Sequence, residues 1–282
     1  MKPAPFDYHR ATSVEDATKL LSELDDAKIL AGGQSLIPLM NFRLSTPAHL
    51  IDISNLPELN KIKVDDRSVR IGAAVTHTTL LNTKQVASEL PLLVDAEKFV
   101  AHEVIRNRGT VCGSLAHADP AGEMTAVIRV LDGAVRASSA EGERVIQAVD
   151  LFDGPLQSSL TETEVIVEAI FPKLGRNSAS SFREVARRHG DYAVAGAVSV
   201  VDYDDARSIE SARTAFLSVG PVPILISFDE LLVEAKTSDI GHDEIYEFVS
   251  SQLNPQDDIH ASADYRRHLA AELAWESLKA CV

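Results

Sequence analysis

The chain has 282 residues, enough for one large domain or two of ordinary size. Hydrophobic residues make up 45% and charged ones 24%, a soluble globular balance, and no apolar run approaches the roughly 20 residues of a membrane span. Lys and Arg number 27 against 42 Asp and Glu, and the formal charge of −15 argues against nucleic acid and anionic membranes as partners.

The opening Met1-Lys2-Pro3-Ala4-Pro5-Phe6-Asp7 has no apolar stretch of signal type, so a cytoplasmic protein is expected. Ser13 precedes Val14, Glu15 and Asp16 as a helix N-cap with an acidic first turn. Val14, Ala17, Leu20, Leu21 and Leu24 then recur at helical spacing. Residues 27–31 read as a short strand broken by Gly32-Gly33, residues 36–44 as a helix, and residues 49–53 as a second strand, an α/β unit. Residues 61–74 predict a hairpin turning at Asp65-Asp66-Arg67-Ser68, which adds antiparallel pairing. Helical text runs over 76–100 with a break at Pro91, a polar loop of small residues over 106–120, and a helix over 121–131. Residues 134–171 read as three strands. Gly175-Arg176-Asn177-Ser178 is the expected linker, dividing the chain into 1–175 and 176–282. Beyond it, residues 182–203 and 207–219 are strand-rich, and helices are predicted over 229–235, 243–253 and 265–281. Trp275, the only tryptophan, falls on the apolar side of the last of these.

Two segments carry chemistry. In Ala31-Gly32-Gly33-Gln34-Ser35 a strand runs into paired glycines with a helix directly after. Glycine accepts positive φ and has no Cβ, so successive N–H groups there can cradle an anion such as a diphosphate. A plain strand-to-helix turn uses glycine too. In Thr110-Val111-Cys112-Gly113-Ser114-Leu115-Ala116-His117-Ala118-Asp119-Pro120 the small residues leave room for a ligand. Thr110, Ser114 and His117 supply hydrogen bonds, and Asp119 and Glu123 supply acceptors. The basic clusters Arg106-Asn107-Arg108 and Arg187-Arg188-His189 suit either solvated surface or anion contact. Cys112 and Cys281 are too far apart for zinc or iron–sulfur spacing, and no histidine pattern suggests a metal site. Any redox carrier is therefore expected to be held without thiolates.

At these segments the sequence resembles the FAD-binding medium subunits of the molybdenum hydroxylases, the xanthine dehydrogenase family. Residues 31–40 resemble the family's first FAD segment, and Ile105-Arg106-Asn107-Arg108-Gly109-Thr110 through Asp119-Pro120 its second. Gly190-Asp191-Tyr192-Ala193 and Phe6-Asp7-Tyr8 match as well, so the resemblance spans nearly the whole chain.

The resemblance implies an α+β fold, with a vanillyl-alcohol-oxidase-like FAD-binding domain followed by a smaller domain of a three-stranded antiparallel sheet and helices. It implies that Ala31, Gly32, Gly33, Gln34 and Ser35 hold the FAD diphosphate, and Leu36 is expected among the cofactor-binding residues. Thr110, Gly113, Ser114 and His117 would line the diphosphate and ribityl region, with Asp119 and Glu123 nearby. Tyr192 would lie near the isoalloxazine and Ile166 near the adenine. Partner subunits would carry the molybdenum–pterin and two [2Fe-2S] clusters, in a dimer of heterotrimers, and this chain would pass the electrons on. The run Gly113-Ser114-Leu115-Ala116-His117-Ala118-Asp119 leans toward subunits of enzymes hydroxylating N-heterocycles. A stand-alone flavin oxidase, or a binding module that has lost FAD, would be the alternatives. One position departs from the family pattern. Cys112 stands where the family usually has glycine; a positive-φ requirement would make a side chain there costly, whereas a requirement for small size alone would accept cysteine, and slightly weakened but intact FAD binding is expected.

Overall fold

Ser13 adopts extended backbone and its hydroxyl accepts from the N–H of Asp16, so the first helix starts where the cap predicts. The computed structural model describes residues 1–232 and 240–282. Strand β1 (Asp7–Arg10) leads to α1 (Val14–Glu23), β2 (Ala27–Leu30), α2 (Leu36–Asn41) and β3 (His49–Asp52). These strands form a parallel sheet in the order β1-β3-β2. The predicted α/β unit is therefore present, enlarged by β1, and α2 ends earlier than residue 44.

The hairpin follows as β4 (Ile62–Val64) and β5 (Ser68–Gly72), with Asp65 Oδ1 accepting from the N–H groups of Arg67 and Ser68 to fix the turn. The helical stretch over 76–100 is split into α3 (His77–Leu81), α4 (Lys84–Glu89) and α5 (Pro91–Glu97). Pro91 breaks it as expected, by starting α5, where its missing N–H is harmless.

The expectation of a loop over 106–120 is corrected. After α6 (Glu103–Arg106), Thr110 caps α7 (Val111–His117), accepting from the N–H of Gly113 at 3.0 Å. Its Val111, Cys112 and Leu115 point into the core while Gly113, Ser114 and His117 face a cavity. An amphipathic turn of two helical repeats, short and rich in small residues, reads as loop in sequence. Ala118, in left-handed backbone, ends the helix, and α8 (Glu123–Val130) follows.

Residues 134–171 hold more strands than the three expected. They are β6 (Ala134–Ser139), β7 (Gly142–Gln147), the short pair β8 (Phe152–Gly154) and β9 (Gln157–Ser158), and β10, which runs on to the proline (Val165–Pro172). β4, β5, β10, β6 and β7 make a five-stranded antiparallel sheet in that order.

The last sheet is also larger than the three strands expected. β11 (Ser178–Ala186), β12 (Ala193–Tyr203) and β13 (Ile209–Leu217) are joined by a fourth, β14 (Ile224–Ser227), all antiparallel. A four-residue edge strand just after Pro221 and Pro223 carries too little periodicity to be read from sequence. The helices α9 (Asp229–Leu232), α10 (His242–Gln252) and α11 (Ala263–Lys279) complete the chain. The part of the expected 229–235 helix beyond Leu232 lies outside the described residues.

β12 is buried on both faces. Val198 and Val200 join the core formed by the five-stranded sheet, α5 and α8, while Ala195, Ala197 and Val201 pack with α10 and α11. On the latter side Ser199 bonds Thr214 and Ser277, tying α11 to the sheet. Trp275 is half-buried against this second core, with Lys279 Nζ 4.4 Å above its ring. The C-terminal sheet is thus welded to the helices that position the site.

Candidate functional site

The two glycine-rich segments meet. A Cβ on Gly32 would lie 2.7 Å from Gly109 Cα and closer still to the Arg108 carbonyl oxygen, so only glycine permits this contact. Gly33 takes φ +72°, the left-handed conformation that glycine adopts at little cost. Among the described residues, no backbone acceptor is recorded for the N–H groups of Gly33, Gln34 or Ser35. Gln34 bonds its own turn through Gly32 O, and the Ser35 hydroxyl makes no capping bond to α2. Donors without partners beside a glycine turn are what an anionic ligand requires.

These groups open onto a cavity of about 820 Å³. Every residue expected at the site lines it. Ala31, Gly32, Gly33, Gln34, Ser35 and Leu36 come from the turn after β2 and the start of α2. Thr110, Gly113, Ser114 and His117 come from α7 and its cap, Asp119 and Glu123 from the entry to α8, Ile166 from β10, and Tyr192 from the loop before β12. The cavity thus lies where the parallel sheet, the five-stranded sheet and the C-terminal domain converge. Its size suits a large ligand.

Electrostatics differ sharply within it. Asp119 Oδ1 accepts from the N–H of Ala121, fixing the turn into α8. Burial pushes the Glu123 carboxyl up to about 7, with the charges of Glu97 and Asp119 adding to the rise and His77 opposing it. On β11, outside the cavity lining, burial and then the charge of Glu123 raise Glu184 to about 8. His117 is lowered by burial, against the pull of Asp119. Tyr192 is 67% exposed, an aromatic ring at the cavity rim.

Sequence reasoning missed His77, which lines the cavity from α3, and its partner Glu97. The Thr76 cap was visible as the start of helical text, but nothing local links His77 to a glutamate twenty residues on. Cys112 does not occupy a positive-φ position. It lies inside α7, outside the left-handed region, 2% exposed, with its thiol directed at Ile71 O. A small side chain is enough there. Cys112→Gly is expected to leave FAD affinity unchanged and to lower stability by about 1–2 kcal/mol, through lost packing and a helical glycine. Titrating FAD and recording Tm on the same variant checks both.

A large cavity floored by a glycine turn with free N–H groups, set between a parallel and an antiparallel sheet, defines a nucleotide-cofactor-binding α+β protein. Residues 4–174 match the family model for the FAD binding domain in molybdopterin dehydrogenase, and residues 180–280 that for the CO dehydrogenase flavoprotein C-terminal domain. The chain is 41% identical over 280 residues to the 6-hydroxypseudooxynicotine dehydrogenase complex subunit alpha of Paenarthrobacter nicotinovorans, covering 99% of this chain and 95% of that one. It is 42% identical over 226 residues to the caffeine dehydrogenase subunit beta of Pseudomonas sp. (strain CBB1), covering 79% and 76%. The solved structure of quinoline 2-oxidoreductase from Pseudomonas putida 86 superposes with a TM-score of 0.93 at 33% identity, covering 100% of this chain and 98% of that one. The chain belongs to the family of FAD-binding medium subunits of molybdenum hydroxylases, and is an oxidoreductase subunit with FAD as its cofactor. Its fold is that family's two-domain α+β arrangement.

Proposed function

We propose that this chain is the electron-exit subunit of a heterotrimeric molybdenum hydroxylase acting on an N-heterocycle. The observation that carries the FAD-binding core of this reading is the backbone contact of Gly32 with Arg108 and Gly109, which brings both glycine-rich segments to one cavity. The donor set fits FAD. The N–H groups of Gly33, Gln34 and Ser35 would hold the diphosphate, with Ala31 and Leu36 shaping the turn. Thr110, Gly113, Ser114 and His117 would line the diphosphate and ribityl part, Asp119 and Glu123 lying beside it. Ile166, 3% exposed, would pack on the adenine, and Tyr192 would shield the isoalloxazine. Bound FAD supplies the capacity to accept electrons from the iron–sulfur clusters of a partner and release them to an external acceptor.

The residues of this chain bind and orient that cofactor, and no acid–base residue is assigned. Cys112 and Cys281 are both buried and free, in separate parts of the fold, so thiolate-held clusters belong on another chain. The division near residue 175, the assembly with a molybdopterin-binding large subunit and an iron–sulfur small subunit, its doubling to two heterotrimers, and a cytoplasmic location are parts of the same proposal. The N-heterocycle assignment is supported by the compounds named for the relatives, namely 6-hydroxypseudooxynicotine, caffeine and quinoline. Among the described residues no helix is long and apolar enough to cross a membrane.

The test is anaerobic flavin bleaching, measured on the chain alone and on the co-expressed complex, with N-heterocycles, an aldehyde and carbon monoxide as substrates. Bleaching only in the complex, and only with an N-heterocycle, is the expected result. Bleaching in the chain alone would make it a stand-alone oxidase, and bleaching by the aldehyde or carbon monoxide would move the substrate class.

A further inference from the structure

Behind the cavity wall lies a chain of polar groups that cofactor binding by backbone amides does not require. Glu97, at the end of α5, is fully buried. Both its carboxylate oxygens lie 3.0 Å from His77 Nδ1, and among the described residues His77 is the only hydrogen-bond partner recorded for its side chain. His77 is 2% exposed, and its other nitrogen, Nε2, lies 3.0 Å from Ser114 Oγ on the cavity-facing side of α7. Glu97 from α5, Glu123 from α8 and Arg106 from α6 are the charged groups that act on His77.

The hydrogen-bond polarity follows from burial. A carboxylate with no water costs several kcal/mol unless a proton or cation neutralises it. With a neutral His77 protonated at Nδ1 alone, the Glu97–His77 pair would be a buried net negative charge. One more proton removes that charge. Placed on the imidazole, it sits on Nε2; placed on the carboxyl, its O–H has only Nδ1 to donate to among the described residues, which shifts the ring hydrogen to Nε2. Burial works against a charged imidazole, but the charge and bond of Glu97 outweigh it and raise His77 above its ordinary value. With Nε2–H donating to Ser114 Oγ, the serine's own hydrogen must point away. No other bond from Ser114 Oγ is recorded among the described residues, and the cavity is on its open side.

We propose that Glu97 and His77 are positioning residues that lock Ser114 as a hydrogen-bond donor toward the bound cofactor, an arrangement suited to the anionic phosphates of FAD. This rests on the reading above that Ser114 lines the FAD site. If His77 were neutral with a bare Nε2, Ser114 would donate to the histidine and face the cofactor as an acceptor, repelling phosphate oxygens. The relay therefore selects which chemical group Ser114 can hold.

Two measurements on the full chain test it. Nitrogen-15 spectra of selectively labelled histidine, assigned with His77→Gln, are expected to show Nε2 of His77 protonated at neutral pH, and to show that proton lost in Glu97→Gln. FAD affinity, read by flavin fluorescence quenching, is expected to fall about tenfold in Ser114→Ala, the loss of one charge-assisted bond. A similar fall is expected in Glu97→Gln, with little further loss in the double variant. Ser114→Ala leaves the buried pair intact, so it reports even if Glu97→Gln folds poorly. An Nε2 without its proton, alongside weakened FAD binding in Ser114→Ala, would overturn the relay and leave the FAD site standing. Unchanged affinity in Ser114→Ala would instead remove Ser114 from the site, and the proposal with it.

Discussion

Gly32→Ala is expected to strip the protein of flavin, weakening FAD binding by a factor of about 100 or more, with a matching loss of stability. The added methyl group would lie 2.7 Å from Gly109 Cα and press on the Arg108 carbonyl, both backbone and unable to rotate away. Overpacking of this kind costs about 1–3 kcal/mol or more, and relief means separating the turn after β2 from the segment leading to α7. These are the two walls of the cradle, so the strain is taken up in the cofactor site. Released flavin per chain, together with Tm of the apoprotein, measures the effect. Retention of full flavin content would show that the two segments can part without harm, contrary to the geometry.

The second large effect is expected at a residue that does not line the cavity. Arg266 is 6% exposed on α11, where Nη1 donates to the carbonyls of Val194 (2.6 Å) and Ser218 (3.1 Å) and Nη2 to Asp258 Oδ2 (2.6 Å). One guanidinium thus joins the last helix, the first residues of β12, the turn after β13 and the loop before α11. Arg266→Met keeps the apolar stem but leaves buried carbonyls without donors, which is expected to cost about 3 kcal/mol in urea unfolding. Asp258 adds a pH signature. Chiefly through its bond from Arg266, its carboxyl is held well below the usual range. A depressed carboxyl stabilises above its unfolded value and loses that contribution as pH falls, so the deficit of the variant should narrow below about pH 4. A deficit unchanged across that range would mean Asp258 plays no part. The cavity is lined by Gly190, Asp191 and Tyr192, just ahead of Val194, so partial flavin loss is expected to accompany the destabilisation.

How far the sequence could be read depended on the range of the interaction. The Ser13 cap, the 61–74 hairpin and the Gly32-Gly33 turn are set by residues within a few positions of one another, and each is where the text puts it. Helix α7 was unreadable because Gly113, Ala116 and Ala118 mimic a loop, while what fixes it is the Thr110 cap and the burial of Val111, Cys112 and Leu115. β14 is four residues long beside prolines, and its register comes from β13 alone. β12 shows no polar alternation because both its faces are covered, one by each core. The Gly32 contact with Gly109, and the Glu97–His77–Ser114 chain, join segments whose separation carries no sequence signal. The site residues are legible by resemblance, but only the folded chain shows why Gly32 must be glycine and that Cys112 sits outside the left-handed region.

The most direct test of the account is to express the chain alone, record its visible spectrum, and quantify the flavin released on denaturation. Flavin absorption bands are expected, with FAD rather than FMN released at close to one per chain, either as purified or after adding FAD. A protein that remains colourless after FAD is added, both alone and with its partner subunits, would contradict it.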